Sequence, residues 1–341
     1  MNCLMGMSGI YITFHTETES FIIDKTVEDS MVSVINTFLP ICSNYVFVSK
    51  FIKTESLNSK GLICKFVCFA MQLLLKEYLI LVTQFEKLLR EGQLTISRLV
   101  IEIEDAAKMM NTLYIISKAI MTGQCKGGAI LNLLYELSLR GGDQETYYFL
   151  LQYGSKPYFE MMNDWIKSGD LVDPHKEFMI YEQPTDQNQQ NTEESYLQNR
   201  FSIVDQNVFC LMKDCVHKIV NIGKYVRIIQ QSDKKINMKN VELLEFSLEE
   251  NYYIQKTNEI HSITSKNLLN LLQDRHNLYD VFSHLKAVYL FGKKDIMDWF
   301  WVKAEEHLKK VPSQLSLPQL QIYLDTALSS SSYAQLFPDD K

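Results

Sequence analysis

Proline and glycine are scarce, 7 and 13 among 341 residues. That shortage weighs against turn-rich β architecture and against low-complexity chain, and favours helices. A basic excess is missing too: 34 Lys and Arg stand against 41 Asp and Glu, for a net charge of −7. No nucleic-acid partner is expected of such a surface. The pairs Lys234-Lys235, Lys293-Lys294 and Lys309-Lys310 read as solvated helix faces. The most apolar stretch is not free of charge. Leu62 to Val82 is interrupted by Lys65, Lys76 and Glu77, so no membrane insertion is expected. Met1 to Met7 carries neither a basic n-region nor a cleavage site, so no secretory leader is expected.

The residue sets that carry chemistry are missing as well. The seven cysteines are odd in number and scattered. Cys64 and Cys68, and Cys210 and Cys215, sit in apolar helical patterns, and His217 near Cys215 has no evident further ligand. A zinc site needs tighter pairs, so these read as small core residues of a reducing compartment. Gly127-Gly128 has no GxxxxGKS and no preceding strand, and reads as a helix–helix turn. Gly223-Lys224 lies in a helical pattern, where backbone amides cannot cradle a phosphate. His175 and Glu177 have the His-x-Glu spacing of zinc deaminases without the Pro-Cys-x-x-Cys that should follow. No enzyme, no catalytic residue, no metal and no cofactor is expected.

What is present is apolar and periodic. Apolar residues make up 46% of the chain, enough for a substantial core. Ile10–Phe14 and Phe21–Asp24 read as two short extended runs, a small hairpin. Val27 to Leu39 is helical, ended or kinked at Pro40, with a second helix to about Lys53. Asn58 or Ser59 begins a long helix to Arg90 whose apolar residues cover most of its circumference, which predicts a place at the centre of a bundle. Thr95 caps the next helix, ending at Gly123, and Ile130–Leu139 follows. Gly141-Gly142 is a break, and Asp143 caps a short helix to Tyr153.

Ser155 then reads as the N-cap of a new helix, with Pro157 in its first turn, where a missing N–H is no loss. Phe159, Met162 and Ile166 recur at helical spacing, with Tyr158, Met161 and Trp165 widening the stripe. Lys167 suits the helix end and Gly169 the left-handed stop. A turn at Asp173-Pro174 and an extended run from Glu177 through Phe178 to Ile180 follow. Residues 182–199, EQPTDQNQQNTEESYLQN, read as a polar exposed loop. A helix is expected from about Asp205 to Gln230, interrupted at Gly223-Lys224-Tyr225. Helices follow to the end: one holding Tyr252-Tyr253 and Ile260, one from Leu278 to Tyr289 stopped at Gly292, and one from Asp295 to Lys310. Pro312 breaks the last of these, and Ser316 caps a final helix. Trp299, Phe300 and Trp301 are consecutive on a helix and point over about 200°, so at least one is a candidate interface residue.

The ordered set Pro157-Tyr158-Phe159-Glu160, Trp165-Ile166, Gly169, Asp173-Pro174 and Glu177-Phe178-Met179 resembles a motif of the gamma-tubulin complex component family, and within it the component 2 branch. The segments around Gly127-Gly128, Gly223-Lys224-Tyr225 and Ala304-Glu305-Glu306-His307-Leu308 are similar to that family too, in patches from about Gly9 to Ala327. The resemblance implies an all-α fold of stacked helical bundles with at most a small N-terminal β-hairpin. It implies an N-terminal family domain over 1–311, with 312–341 closing it and beginning the second, gamma-tubulin-binding domain. The motif residues are then structural. The implied function is a scaffold in microtubule nucleation and organisation, in the cytoplasm and cytoskeleton at microtubule-organising centres or spindle poles. Sibling components would be lateral partners, and gamma-tubulin a partner of the complete protein but not of this chain alone. The chain would then be an N-terminally shortened form or a fragment. The alternative, from helices alone, is a generic helical adaptor with unrelated partners.

Overall fold

A computed structural model describes residues 1–15, 19–24, 27–57, 61–123, 125–183, 200–232, 243–288, 290, 294–309 and 316–330. The chain divides into two compact units, Met1–Ser265 and Lys266–Lys341. In the first, β1 (Ile12–His15) and β2 (Ser20–Ile23) form the expected antiparallel hairpin, with Phe14 opposite Phe21. Then come α1 (Asp29–Leu57), α2 (Leu62–Arg90), α3 (Ile96–Glu102), α4 (Glu104–Gly123), α5 (Gly128–Leu139) and α6 (Gln144–Ser168). A second ribbon pairs β3 (Ile180–Glu182) with β4 (Phe201–Ile203), and α7 (Val216–Gln231) follows. Next is α8 (Glu250–His276), whose residues up to Ser265 belong to this unit.

Helix α6 is the hub: it packs on α2, α5 and α7. Between Gly154 and Ile166 nearly its whole circumference is buried, including Tyr158, Met162 and Trp165. This corrects the sequence expectation that α2 lies at the centre. Helix α2 buries one wide stripe, Ile63, Val67, Met71, Leu74, Tyr78, Val82 and Phe85. Its opposite stripe is exposed and carries Phe69, Gln72, Lys76, Ile80 and Lys87. Phe69 and Ile80 disguise that polar face in the sequence.

By length and composition, Met31–Glu55 of α1 and Leu62–Arg90 could each cross a bilayer, contrary to the sequence reading of Leu62–Val82. In this fold the first packs on α4 and the second on α6.

Four helix boundaries differ from those expected. The single helix expected from Thr95 to Gly123 is broken at Ile103 into α3 and α4. Pro40 lies inside α1, which continues through it. Asp143 caps α6, its carboxylate accepting from Thr146 N at 3.3 Å, and the helix runs unbroken through Ser155 and Pro157. Ser155 is therefore no N-cap; its hydroxyl turns back to the Gln152 carbonyl at 3.2 Å. Gly154 marks a close approach instead, since a Cβ there would lie 2.7 Å from Val67 Cγ2. Helix α7 starts at Val216, after two short 3-10 turns at Asp205–Asn207 and Cys210–Cys215. The expected start near Asp205 fails because side chains occupy the backbone there: Asn132 donates to Val208 O at 2.7 Å and accepts from Cys210 N at 2.8 Å. Gly223-Lys224-Tyr225 does not interrupt α7.

The expectations at Thr95, Asp143 and Gly169 hold: Thr95 Oγ1 accepts from Arg98 N, and Gly169 ends α6 at φ 66°. Glu182 belongs to β3 rather than to the polar loop, and its carboxylate accepts from Arg200 Nε. Residues 184–199 of that loop lie outside the described residues, as do Lys234-Lys235, Tyr289, Gly292, Lys293, Lys310, Pro312 and 331–341.

In the second unit α9 (Leu278–Val288), α10 (Lys294–Leu308) and α11 (Leu317–Ser330) follow. Helices α10 and α11 pack on each other, and Ile296, Ala304 and Ala327 are buried.

Candidate functional site

The motif residues of α6 and its return form one buried junction. Two buried aromatic side chains, Trp165 and Tyr158, organise it. Trp165 is fully buried, donates from Nε1 to the Ile219 carbonyl at 2.9 Å, and lies edge-on to Phe201 at 4.9 Å. Gly223 is the residue that admits it. A Cβ at Gly223 would stand 2.0 Å from Trp165 Cε2, so the glycine makes room for an indole and serves no turn. Gly169 does two things: it ends α6, and it lets the chain pass Gly223 O, which a Cβ would approach to 2.7 Å. Tyr158, also fully buried, donates to Asn207 O at 3.1 Å and accepts from Phe209 N at 3.4 Å. Its ring meets Phe178 at 5.4 Å and Phe159 at 6.1 Å, and Phe159 stacks on Tyr253 at 5.9 Å. Burial pushes the Tyr158 hydroxyl far above its ordinary pKa, so it remains a donor.

The return after Gly169 is set by Asp173. Its carboxylate accepts from His175 N at 3.2 Å and Phe178 N at 2.8 Å, closing the turn at Pro174-His175. Pro174 itself is exposed. The run Glu177–Met179 is thereby brought down between two helix N-termini. Glu177 Oε2 accepts from Leu62 N at 2.5 Å, and Ile63 N lies 3.3 Å from Oε1, at the start of α2. Its backbone oxygen accepts from Gly128 N at 3.1 Å, at the start of α5. A carboxylate at a helix N-terminus satisfies amides that no turn above can reach and faces the positive end of the dipole. Burial pushes the Glu177 carboxyl above its ordinary value, and the Leu62 and Ile63 amides pull it partly back. Gly61 and Gly127 both take positive φ, 134° and 58°, and a Cβ on either would strike Glu177, at 2.0 and 2.6 Å.

The junction thus brings together Pro157, Tyr158, Phe159, Trp165, Gly169, Asp173, Phe178 and Gly223. Lys224 and Tyr225 lie on the half-buried side of α7, where the Tyr225 ring meets His261 at 5.8 Å and burial lowers the Lys224 pKa. Sequence reasoning passed over Asn132, Asn163, Asn207 and the capping role of Glu177. Asn207 ties the junction together, donating to Lys176 O and Phe178 O, both at 3.2 Å. A visible signal did exist for Asn132: an amide inside Ile130-Leu131-Asn132-Leu133-Leu134, a stretch otherwise apolar.

These groups hold backbone and do not converge on a reactive centre. Among the described residues there is no group of three or more His, Cys, Asp or Glu placed to hold a metal. Among the described residues no cysteine is in a disulfide, and burial pushes Cys42 up to about 12, so its thiol stays protonated.

The candidate interface residues are elsewhere, in the second unit. Trp299 is 46% and Trp301 59% exposed, while Phe300 is half-buried.

Comparison with known proteins follows this geometry. The family described as Gamma tubulin complex component N-terminal matches residues 1–275. Gamma-tubulin complex component 2 of Mus musculus is 29% identical over an alignment covering 99% of this chain and 38% of its own length. The Arabidopsis thaliana protein of the same name is 24% identical, covering 98% and 51%. Spindle pole body component alp4 of Schizosaccharomyces pombe is 23% identical, covering 96% and 51%. The chain therefore spans between about two-fifths and one half of the length of these relatives. By that match over most of its residues, the chain belongs to the gamma-tubulin complex component family, through the family's N-terminal domain.

Proposed function

We propose that this chain is a non-catalytic scaffold of a gamma-tubulin complex, acting in microtubule nucleation and organisation at microtubule-organising centres or spindle poles. The family match over residues 1–275, with relatives named as complex and spindle pole body components, carries the reading. The geometry agrees with it, since the motif residues fix helix positions and leave outward helix faces to make contacts. In this reading the family domain extends over 1–311 and its partners are sibling components, bound side by side. Trp299 and Trp301 contribute to that contact: large aromatics half in water are the residues that gain most from a partner. These 341 residues do not grip gamma-tubulin by themselves.

The test is a pull-down with the tagged chain, scored separately for sibling components and for gamma-tubulin. Sibling capture without direct gamma-tubulin capture is expected, and the double variant Trp299→Ala, Trp301→Ala should weaken it. Failure to capture any sibling would refute the scaffold reading. Tight binding of purified gamma-tubulin would refute the division of labour.

A further inference from the structure

The outer face of α2 repeats every 11 residues. Lys65, Phe69 and Gln72 are followed by Lys76, Ile80 and Thr83, and Lys87 begins the pattern again. Eleven residues make three turns of about 3.67 residues each, so positions at this spacing stay on one side of a helix. At about 100° per residue, all of these and Arg90 fall within a stripe about 80° wide. The fold leaves that stripe in water: Phe69 is 50% and Ile80 59% exposed, and the polar members are exposed or, at Lys65, half-buried. The Tyr153 ring of α6 lies 6.4 Å from Phe69 and widens the apolar spot there, with Lys156 over that ring at 4.2 Å.

The stripe carries charge of one sign. No acidic residue of α2 falls inside it. Glu77 points about 100° away from Lys76. Glu86 is turned to Arg90 at 2.5 Å, and Glu91 lies 4.0 Å from Lys87 at the helix end. Lys87 and Arg90 also face the negative end of the α2 dipole. The Glu177 carboxylate is directed onto the Leu62 and Ile63 amides, and Glu160 stands one turn beyond Lys156 on α6. That leaves Lys65 and Lys76 uncompensated: neither has an ion pair or a side-chain hydrogen bond among the described residues. They stand about 17 Å apart along the helix, with Phe69 between them.

We propose that this stripe docks an acidic helix of a partner protein, laid along α2, with apolar side chains on Phe69 and Ile80 and carboxylates against Lys65 and Lys76. A straight, narrow stripe fits a helix lying beside a helix and offers no flat area to a membrane. The chain's net charge of −7 also weighs against an anionic bilayer. The contact is independent of Trp299 and Trp301, which belong to the other unit.

The probe is a fluorescein-labelled helical peptide of alanine, glutamine, leucine and glutamate, with its glutamates at the same 11-residue spacing and leucines between them. A twin carries lysine at every glutamate. Both are titrated into the full chain by fluorescence anisotropy. The glutamate peptide should saturate, and the lysine twin should bind about tenfold or more weakly. The double variant Lys65→Glu, Lys76→Glu should reverse that preference. Ile80→Gln, at a position too exposed to endanger the fold, should weaken the glutamate peptide about fivefold. The equally charged control Lys118→Glu, Lys213→Glu, at exposed positions off the stripe, should leave binding unchanged. No saturable binding, equal binding to the Lys65→Glu, Lys76→Glu variant, or an equal loss with the control would each overturn the proposal. So would a dimer of the parent chain that Lys65→Glu, Lys76→Glu dissolves, which gives the stripe to a second copy. Sedimentation of the chain with phosphatidylserine vesicles, lost in the same variant, would overturn it in favour of a membrane.

Discussion

Replacing Gly223 by alanine sets two effects against each other. Gly223 lies inside α7, and its φ is not among the positive ones. Helix propensity alone therefore favours alanine by about 1 kcal/mol. The structure points the other way. The new Cβ would stand 2.0 Å from Trp165 Cε2, 2.3 Å from Nε1 and 2.4 Å from Cζ2. The indole must retreat by more than an ångström to reach ordinary contact, and it is buried against Phe201 with its N–H on Ile219 O. Overpacking of this kind costs about 1–3 kcal/mol, and breaking a buried hydrogen bond adds about 1–3 kcal/mol. After the propensity gain, Gly223→Ala should destabilise the first unit by about 1–5 kcal/mol. Urea unfolding followed by far-UV circular dichroism measures this. The cause is isolated by a double-mutant cycle with Trp165→Phe, which removes the indole edge facing Gly223; there Gly223→Ala should cost less, with a coupling of at least about 1 kcal/mol. A Gly223→Ala protein as stable as the parent, or a cycle that simply adds, would refute the claim that this glycine exists to seat the indole.

Other perturbations test the remaining contacts of the junction. Tyr158→Phe strips a hydroxyl from Asn207 O and Phe209 N and should cost about 1–3 kcal/mol in the same unfolding assay, because both partners stay buried. Glu177→Gln tests the capping carboxyl through pH. The Glu177 pKa is raised in the fold, so its contribution is complete below the ordinary glutamate value and is lost as pH rises through the raised one. The parent should therefore lose stability relative to Glu177→Gln from about pH 4.5 upward, levelling off once Glu177 is ionised; a flat or opposite difference contradicts the burial argument. Gly61→Ala should be worse than either, since it combines a strained φ of 134° with a Cβ 2.0 Å from the Glu177 carboxylate, and hydrogen exchange at the start of α2 should report the loss. Trp301→Ala should leave stability within about 0.5 kcal/mol, as surface substitutions do, while reducing sibling capture.

The elements were largely legible because they rest on local rules. Asp143 and Thr95 as caps, Gly169 as a stop and the amphipathic stripe of α6 all act within a turn or two of their own position. Apart from α2, whose polar face Phe69 and Ile80 disguise, and Pro40, the errors named below share one cause, which is distance along the chain. Ser155-Lys156-Pro157 has the local form of a helix start, and only a cap twelve residues upstream and the packing of Gly154 on Val67 make it a helix interior. Val208 to Cys210 has helical periodicity, and only Asn132 and Tyr158, more than fifty residues away, hold it off the helical ladder. Glu177 shows the same limit for the site: in sequence it is one half of a His-x-Glu, and its partners at Leu62 and Ile63 lie 115 and 114 residues away.

The position of the motif bears on how recognition of the family relates to recognition of partners. Trp165, Tyr158, Phe178, Gly169 and Gly223 are buried or pressed against buried groups, and each acts on another segment of the same unit. A neighbouring protein cannot touch Trp165 or Tyr158 without opening the fold. The residues that make the chain recognisable thus fix where helices lie, and on the proposed reading the residues that choose partners are outward side chains such as Trp299 and Trp301. Substitutions in the two sets should therefore separate in experiment: those in the junction lower stability and partner capture together, whereas those on the outer faces lower capture at unchanged stability. A junction variant that keeps its fold to the same denaturant midpoint yet loses a partner would break this separation, because it would place partner contact on residues that the structure seals inside.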